Sequence, residues 1–332
     1  MSQIAPPKPF KSYADLVGLL SSRGMQVEDP VRAQRKLAQV GYYRLSGYWY
    51  VARSLIRDDQ GRVLLSSATH QPVREDRFLP GTTFNAAFDL YLFDKRLRHL
   101  MLDALERIEV NVRSVLAHEV GYHHPLAYQD SGFINPSQIR NFVDRRTGQQ
   151  RNAWSEWLMR QNEQVSRSRD DCIVWHRNSN KAMPFWVVVE AWDFGTVSKY
   201  FELLKRSHQN RVCHRLGLDN PTALKVWLQE LNTLRNRCAH HSRIWNQTTS
   251  NPLPVLQNAY FQALCLGPDA ASRLYGLIAI MAYLVRKIGP NSRWINDVAD
   301  LIASKPNLPG CTFAAMGLPT AGGLPKALLD FT

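Results

Sequence analysis

The longest hydrophobic pattern of the chain runs from Thr83 to Val120, a stretch without glycine or proline. Apolar side chains recur there every three or four residues, which places them on one face of a helix. They are Phe84, Phe88, Leu92, Leu97, Met101, Leu105, Ile108, Val112 and Leu116. The pattern predicts one long helix, or two helices joined by a kink.

A second strong pattern begins at Asn220 and Pro221. Asparagine is a favoured N-cap, and proline suits the first helical position because no backbone donor is needed there. Helical spacing then continues into the sequence LRNRCAHHSRIWN, residues 234–246, and predicts a helix that ends near His241. Its apolar face consists of Leu224, Trp227, Leu228, Leu231 and Leu234.

Capping residues, terminating glycines and apolar spacing predict further helices over residues 12–24, 29–41, 153–167, 184–206, 269–289 and 292–304. Asp193 and Gly195 are expected to bend the fourth of these. The aromatic sequence GYYRLSGYWY predicts a turn bracketed by Gly41 and Gly47, with a small β element within residues 48–64. The predicted fold class is mainly α, a helical bundle with this β element added.

The formal net charge is +13, and arginine heavily outnumbers lysine. A strongly basic chain is suited to a polyanion, and the planar arginine side chain binds phosphate in a forked geometry. Charge for solubility alone is the alternative. No apolar run is long enough for a membrane span, and the N-terminus lacks a secretory signal, so we expect a cytoplasmic protein.

The cysteines are scattered, without a CxxC pair, which is typical of a reducing compartment. They are Cys172, Cys213, Cys238, Cys265 and Cys311. Zinc sites normally show paired ligands at both ends of a loop. We therefore expect neither a bound metal nor another cofactor.

The end of the helix near His241 carries a candidate site made of Arg235, Asn236 and His240. Asn236 and His240 are four residues apart and share a helix face, whereas the arginine converges with them only by reaching round. The same arginine–histidine spacing occurs once more, at Arg113 and His118. Alternatively, these residues only stabilise helix ends, where positive side chains interact favourably with the last carbonyls.

Such a group has the chemistry to cleave RNA. The RNA 2′-OH attacks the adjacent phosphorus, and a histidine near its ordinary pKa removes or donates a proton. An arginine stabilises the charge that builds on the phosphate oxygens, and an asparagine amide orients the histidine or the phosphate.

Five ordered blocks carry a resemblance to a known family. They are KPFKSYADLVGLL, LAQVGYYRLSGYWY, FDKRLRHLMLDALERIEVNVRSVLAH, PFWVVVEAWDFGTVSKYFELL and LQELNTLRNRCAHHSRIWN. Together, over roughly residues 8–246, they resemble the Abi family of bacterial abortive-infection proteins, of the AbiD and AbiF type. That family is similar to the HEPN superfamily of α-helical ribonucleases, and RNRCAH fits the HEPN motif at Arg235, Asn236 and His240.

The resemblance implies a HEPN-like helical domain over residues 8–250. We expect residues 251–305 to form a helical extension packed on it, and residues 306–332 to form a loosely ordered tail. It also implies a metal-independent endoribonuclease, an abortive-infection effector or toxin against phage that leaves 2′,3′-cyclic phosphate ends. The expected partners are substrate RNA and a small non-coding RNA that restrains the protein. A non-catalytic RNA-binding regulator is the alternative.

HEPN sites usually form where two motifs face each other. Two chains can bring their Arg235 and His240 groups together as a homodimer, which we favour, or Arg113 and His118 can face that group within one chain. Further RNA contacts are expected from Arg44, Arg237, His241, Arg243 and Asn246. We expect most of the aromatic block, and Trp245, to pack in the interior.

Overall fold

The computed structural model describes residues 6–264, 266–319, 323–325 and 328. The fold is mainly α, as predicted. The first helices are α1 (Tyr13–Ser22), α2 (Pro30–Val40), α3 (Tyr42–Trp49), α4 (Phe84–Gly121) and α5 (Pro136–Ile139). The next are α6 (Ala153–Arg167), α7 (Asp171–Asn178), α8 (Phe185–Val188), α9 (Phe194–Leu203) and α10 (Arg206–Arg215). The last are α11 (Pro221–Ala239), α12 (Ala259–Leu264), α13 (Pro268–Ala271), α14 (Leu274–Ile288) and α15 (Trp294–Ala303).

The strands form two small antiparallel pairs. Strand β1 (Arg53–Leu55) pairs with β2 (Arg74–Phe78), and Arg53 lies opposite Phe78. Strand β3 (Phe142–Val143) pairs with β4 (Gln150–Arg151). The predicted β element within residues 48–64 is therefore confirmed in β1, while the partner of β1 lies further along the chain.

The long hydrophobic pattern forms one helix, α4, of 38 residues. Its predicted apolar stripe is buried except at Leu92, which is half-buried. The repeat of three and four residues keeps these side chains on one face, while the charged residues Asp94, Arg98 and Glu109 of the same helix are buried as well. Among the described residues, no helix combines the length and apolar character that crossing a bilayer requires.

The turn predicted between Gly41 and Gly47 is wrong, because Gly47 lies inside helix α3. Gly41 does separate two helices, since its φ of +91° ends α2. Burial outweighs the low helix propensity of Gly47: Tyr48 and Trp49 are almost wholly buried. The Tyr48 hydroxyl also donates to the buried Asp94 carboxylate at 2.8 Å, which holds α3 against α4.

Two of the predicted helices are divided. Residues 184–206 form α8, a 3-10 turn and α9, and the bend expected at Asp193 is confirmed. Asp193 is the N-cap of α9, and its carboxylate accepts from the Thr196 backbone N–H at 2.7 Å. The predicted helix over residues 269–289 is split into α13 and α14 around Ser272 and Arg273.

The chain divides into two compact units. The first contains residues 1–97, 299–315 and 320–323, and the second contains residues 98–298, 316–319 and 324–332. The division that we predicted from the sequence, at residues 250 and 305, stays a prediction. In the tail predicted over residues 306–332, Leu308, Cys311, Met316, Leu318 and Leu328 are buried, and residues 320–322, 326, 327 and 329–332 lie outside the described part.

An aromatic cluster forms part of the core of the second unit. The ring centroids of Trp157 and Trp192 are 5.1 Å apart, and both rings contact Tyr200. The Trp157 indole N–H donates to the Thr196 carbonyl at 3.0 Å. This packing connects α6 with α9, and α9 in turn packs along α11. The core thereby positions the C-terminal half of α11, where the candidate site lies.

Candidate active site

Helix α11 ends in a hydrogen-bonded C-terminal motif that positions two neighbouring histidines differently. The His241 N–H donates to the Cys238 carbonyl at 3.1 Å, and the Ser242 N–H donates to the Arg237 carbonyl at 2.8 Å. This pattern requires a left-handed residue after the cap, usually glycine. Here that residue is His241, with a φ of +57°. His240 is the cap itself, and both histidines are exposed.

The three residues of the predicted motif lie along the last turn of α11. Arg235 is half-buried and its guanidinium donates to the Asn236 amide oxygen at 3.4 Å. The His240 backbone N–H donates to the Asn236 carbonyl at 2.9 Å, so Asn236 and His240 are one helical turn apart. In the part of the chain that the structure describes, the His240 imidazole makes no hydrogen bond to Arg235 or Asn236.

The charges of both predicted motif arginines act on the same buried carboxylate within one chain. Arg113 Nη2 lies 2.5 Å from Glu109 Oε1, and it also donates to the Trp192 carbonyl at 2.5 Å. The positive charge of Arg235 acts on the Glu109 carboxyl as well, although in the described part of the chain the two form no ion pair. Glu109 is 9% exposed, so its carboxyl is largely shielded from solvent.

Burial raises the pKa of Glu109 above its ordinary value, because the charged carboxylate loses its hydration. The guanidiniums of Arg113 and Arg235 lower that pKa, and the negative charge of Asp193 raises it again. Burial and Asp193 outweigh the arginines. The Glu109 carboxyl therefore binds a proton more readily than a carboxyl in an exposed ion pair of the same geometry does.

A second ion pair, between Arg160 and Asp193, lies near the first. Arg160 Nη2 donates to Asp193 Oδ2 at 2.8 Å. Burial works to raise the pKa of Asp193, but the hydrogen bonds from Arg160 and Thr196 outweigh it and the pKa is lowered. A Cβ atom added to Gly195 would lie 3.2 Å from Arg160 Nη2 and 3.4 Å from Asn232 Nδ2. A larger residue at this position would therefore press against these polar groups, which would have to move by a few tenths of an ångström.

Sequence reasoning placed none of Glu109, Arg160 and Asp193 in the candidate site, although it expected Asp193 to bend its helix. The spacing of Glu109 and Arg113, four residues apart on a helix, is the one signal that pointed to this pair. Arg160 and Asp193 are 33 residues apart, and no helical period relates them. Only the packing of α6 beside α9 brings them together.

His118, from the second predicted motif, has a different environment. Its side chain is 67% exposed, and its Nδ1 lies 3.2 Å from Glu119 Oε1. It lines a pocket of about 420 Å³ with Tyr122, Trp186 and Glu190. Within the described ranges, no contact joins His118 to His240. The two motifs are therefore related through Glu109, on which both arginines act, and not through a contact between their histidines.

The residues predicted to contact RNA are divided between the two units. Arg237 donates to the Thr248 carbonyl at 3.1 Å, which ties α11 to the following loop. Arg243 and Asn246 are half-buried in that loop, beside the exposed His241. Arg44 is exposed on α3 and belongs to the first unit. Trp245 is completely buried, so its predicted packing role is confirmed.

The loop after the site is fixed by a buried acid on α11. Glu230 is 3% exposed and accepts hydrogen bonds from the backbone N–H groups of Ser250 and Asn251 at 3.0 and 2.9 Å. The Asn251 side-chain amide donates to the same carboxylate at 2.9 Å. In addition, the Trp227 indole donates to the Pro254 carbonyl at 2.9 Å. These contacts hold residues 250–254 against the helix that carries Arg235.

The chemistry of the cluster is that of an anion site beside a titratable group. Arg113 is paired with the buried Glu109 carboxylate, the charge of Arg235 also acts on that carboxylate, and the Asn236 amide and the His240 imidazole are exposed at the end of α11. Among the residues the structure describes, no three histidine, cysteine, aspartate or glutamate side chains are grouped so as to hold a metal ion. Cys265 lies outside the described residues, and our expectation of a metal-free site stays a prediction.

Comparison with known proteins identified a sequence family. The sequence model of a family described as Abi-like protein matches residues 35–246. This range contains the whole of α4 and of α11, including Arg235, Asn236 and His240. Neither the curated proteins nor the solved structures gave a significant match.

Proposed function

Because this chain belongs to the Abi-like protein family, we propose that it is a metal-independent RNA endonuclease of the HEPN type that acts in abortive infection. The observation that carries the proposal is that the charges of Arg113 and Arg235 both act on the buried Glu109, while His240 is exposed at the end of the helix that carries Arg235. Cationic side chains held in fixed positions, with a histidine beside them, are the groups that RNA transesterification needs.

In the proposed reaction, His240 accepts the proton of the RNA 2′-OH as that oxygen attacks the adjacent phosphorus. The bond from phosphorus to the 5′-oxygen breaks, and the leaving oxygen takes up a proton. The products are a 2′,3′-cyclic phosphate and a 5′-hydroxyl. Arg235 binds the non-bridging phosphate oxygens as negative charge grows on them, and Asn236 orients the phosphate or the imidazole.

Arg113 is a positioning residue in this scheme. Its Nη2 is already engaged by Glu109 and by the Trp192 carbonyl. Its charge partly neutralises Glu109, which leaves Arg235 less strongly held by that carboxylate and available to phosphate. The site thus gains a net positive field without a flexible arginine at its base.

We further propose that the active protein is a homodimer. The reaction moves one proton from the 2′-OH and one to the leaving oxygen, and two facing imidazoles perform both steps without exchange. His240 is exposed at the end of α11, whereas the His118 imidazole contacts the Glu119 carboxylate. A second copy of the chain supplies the second His240 and Arg235. A small non-coding RNA is the proposed restraint on this activity, as the family resemblance implies.

The experiment that tests the proposal analyses RNA cut by the purified full chain in EDTA. The expected products carry 2′,3′-cyclic phosphate ends, which resist phosphatase until acid opens the ring. Cutting that depends on added Mg²⁺, or that leaves 5′-phosphate ends, would contradict the proposed chemistry.

A non-catalytic RNA-binding protein is the second candidate. The observation in its favour is that His240 and His241 both serve the end of α11 through their backbone N–H groups. That candidate predicts steeply salt-dependent RNA binding without any cut product.

A further inference from the structure

The first unit has an open groove that the proposed reaction does not use. It has a volume of about 860 Å³ and is lined by the N-terminal segment, α1, α3 and the strands β1 and β2.

Exposed aromatic rings line this groove at a density that a protein surface rarely shows. Phe10 is 94% exposed and Tyr43 is 73% exposed, although large apolar side chains normally avoid water. The rings that line the groove and stand at least partly in solvent are Phe10, Tyr13, Tyr43 and Tyr50. The aromatic block at residues 42–50 is thus divided: Tyr48 and Trp49 pack inside, and Tyr43 and Tyr50 face outward.

The charges of the groove are mainly positive. Its cations are Lys8, Lys11, Arg23 and Arg53, and Asp76 is the carboxylate among the lining residues. Asp76 is bound by Arg23 at 2.5 Å and by Arg53 at 2.8 Å, so both arginines are fixed in place. Arg53 also lies 5.8 Å from the centre of the Tyr50 ring. The cations therefore stand beside the rings, in positions set by other contacts.

We propose that this groove binds single-stranded RNA, with bases stacked on Tyr43 and Phe10 and with phosphates near Lys8 and Lys11. Grooves of this kind combine a positive track for the backbone with aromatic rings for successive bases. Duplex RNA offers no free base faces to these rings, and an acidic peptide explains the lysines but not four exposed rings. The ligand class rests on the proposed function, which makes RNA the substrate, while the groove itself is a separate contact.

Fluorescence anisotropy of a 5′-labelled oligouridylate of about 12 nucleotides tests the groove. The protein is the full chain with His240→Ala, so that no RNA is cut during titration. Tyr43→Leu is expected to weaken binding at least about fivefold, because a leucine offers no ring for stacking. Lys8→Ala with Lys11→Ala is expected to reduce the salt dependence of log K by about 0.7 for each lost phosphate contact.

Matched controls come from the same chain. Phe142→Leu removes an exposed ring from β3, outside the groove, and Arg32→Ala with Arg35→Ala removes two exposed charges from α2. Affinity that falls with the groove variants and not with these controls supports the proposal. Equal affinity for all variants overturns it. Weaker binding in the Lys8→Ala, Lys11→Ala variant alone also overturns it, because that result would indicate charge attraction without base stacking. Binding of an acidic peptide in place of RNA overturns it too.

The outcome is distinguishable from failure of the proposed function. If the wild-type chain cuts no RNA but Tyr43→Leu still weakens binding, RNA binding in the groove is supported and the proposed nuclease activity is contradicted. If the wild-type chain cuts RNA while the groove variants bind and cut RNA as it does, the nuclease activity is supported and RNA binding in the groove is contradicted.

Discussion

Glu109 and Arg113 lie one turn apart on α4 and form an ion pair in which Nη2 stands 2.5 Å from Oε1. The pair is largely buried, and the same nitrogen also reaches the Trp192 carbonyl. Because Asp193 follows Trp192 directly, this contact fixes the start of α9 relative to α4. One ion pair thereby connects α4 to the segment that carries Asp193 and its ion pair with Arg160.

Glu109→Gln is expected to change how stability depends on pH. A carboxyl whose pKa is raised by folding stabilises the native state fully at acid pH, and that contribution is lost as the pH rises through the raised pKa. Glutamine cannot titrate, so the unfolding free energy of Glu109→Gln should rise relative to wild type between about pH 4 and pH 8. Urea unfolding at both pH values measures this. Glu106→Gln, exposed on the same helix, controls for the lost charge, and an unchanged difference across pH would contradict the account.

Gly195→Ala is expected to reduce RNA cutting and to lower the unfolding free energy by about 1–3 kcal/mol. Its methyl group would stand 3.2 Å from Arg160 Nη2 and 3.3 Å from Asp193 Oδ1, so this ion pair must shift. Gly18→Ala is the matched control, because nothing lies within 4 Å of its added Cβ and alanine favours the helix α1. Thermal unfolding and a cutting assay measure both variants, and equal behaviour of the two would show that the site tolerates the added atom.

Arg235→Lys is expected to lower the cutting rate by about 10²–10³-fold at saturating RNA. Lysine keeps the positive charge but loses the planar fork that binds two phosphate oxygens. Arg237→Lys, two residues further along, serves as the comparison, since the Arg237 guanidinium is used by the Thr248 carbonyl. Single-turnover kinetics measure both rates. Equal losses in the two variants would mean that Arg235 has no special position in the site, and an unchanged rate for Arg235→Lys would mean that positive charge alone is sufficient.

Glu230→Gln is expected to lower the unfolding free energy by about 2 kcal/mol, because hydrogen bonds to a charged acceptor are stronger than neutral ones. The Glu230 carboxylate accepts from the Ser250 and Asn251 backbones in a buried place. Glu163→Gln removes an exposed ion pair with Arg167 and should cost less than about 1 kcal/mol. Urea unfolding compares them, and a larger loss for Glu163→Gln would refute the role of Glu230.

The sequence predicted the helices that carry the site, because their signals are local. Asn220 and Pro221 begin α11 by capping chemistry, and the apolar stripe of α4 follows from a repeat of three and four residues. The influence of Arg235 on Glu109 was beyond prediction, since more than a hundred residues separate them in sequence and only tertiary structure relates them. The error at Gly47 has the same cause: burial of Tyr48 and Trp49 outweighs a local preference for a turn.

One comparison tests the central claim most directly: the rates at which the His240→Ala and His241→Asn variants cut a 5′-labelled RNA in EDTA. The two histidines are neighbours and both are exposed, but only His240 is assigned to proton transfer. Asparagine tolerates the left-handed backbone of His241, so that variant removes the imidazole and keeps the helix end. The account predicts a loss of at least about 10²-fold for His240→Ala and less than about tenfold for His241→Asn, with circular dichroism unchanged in both. Cutting by His240→Ala at the wild-type rate would contradict it.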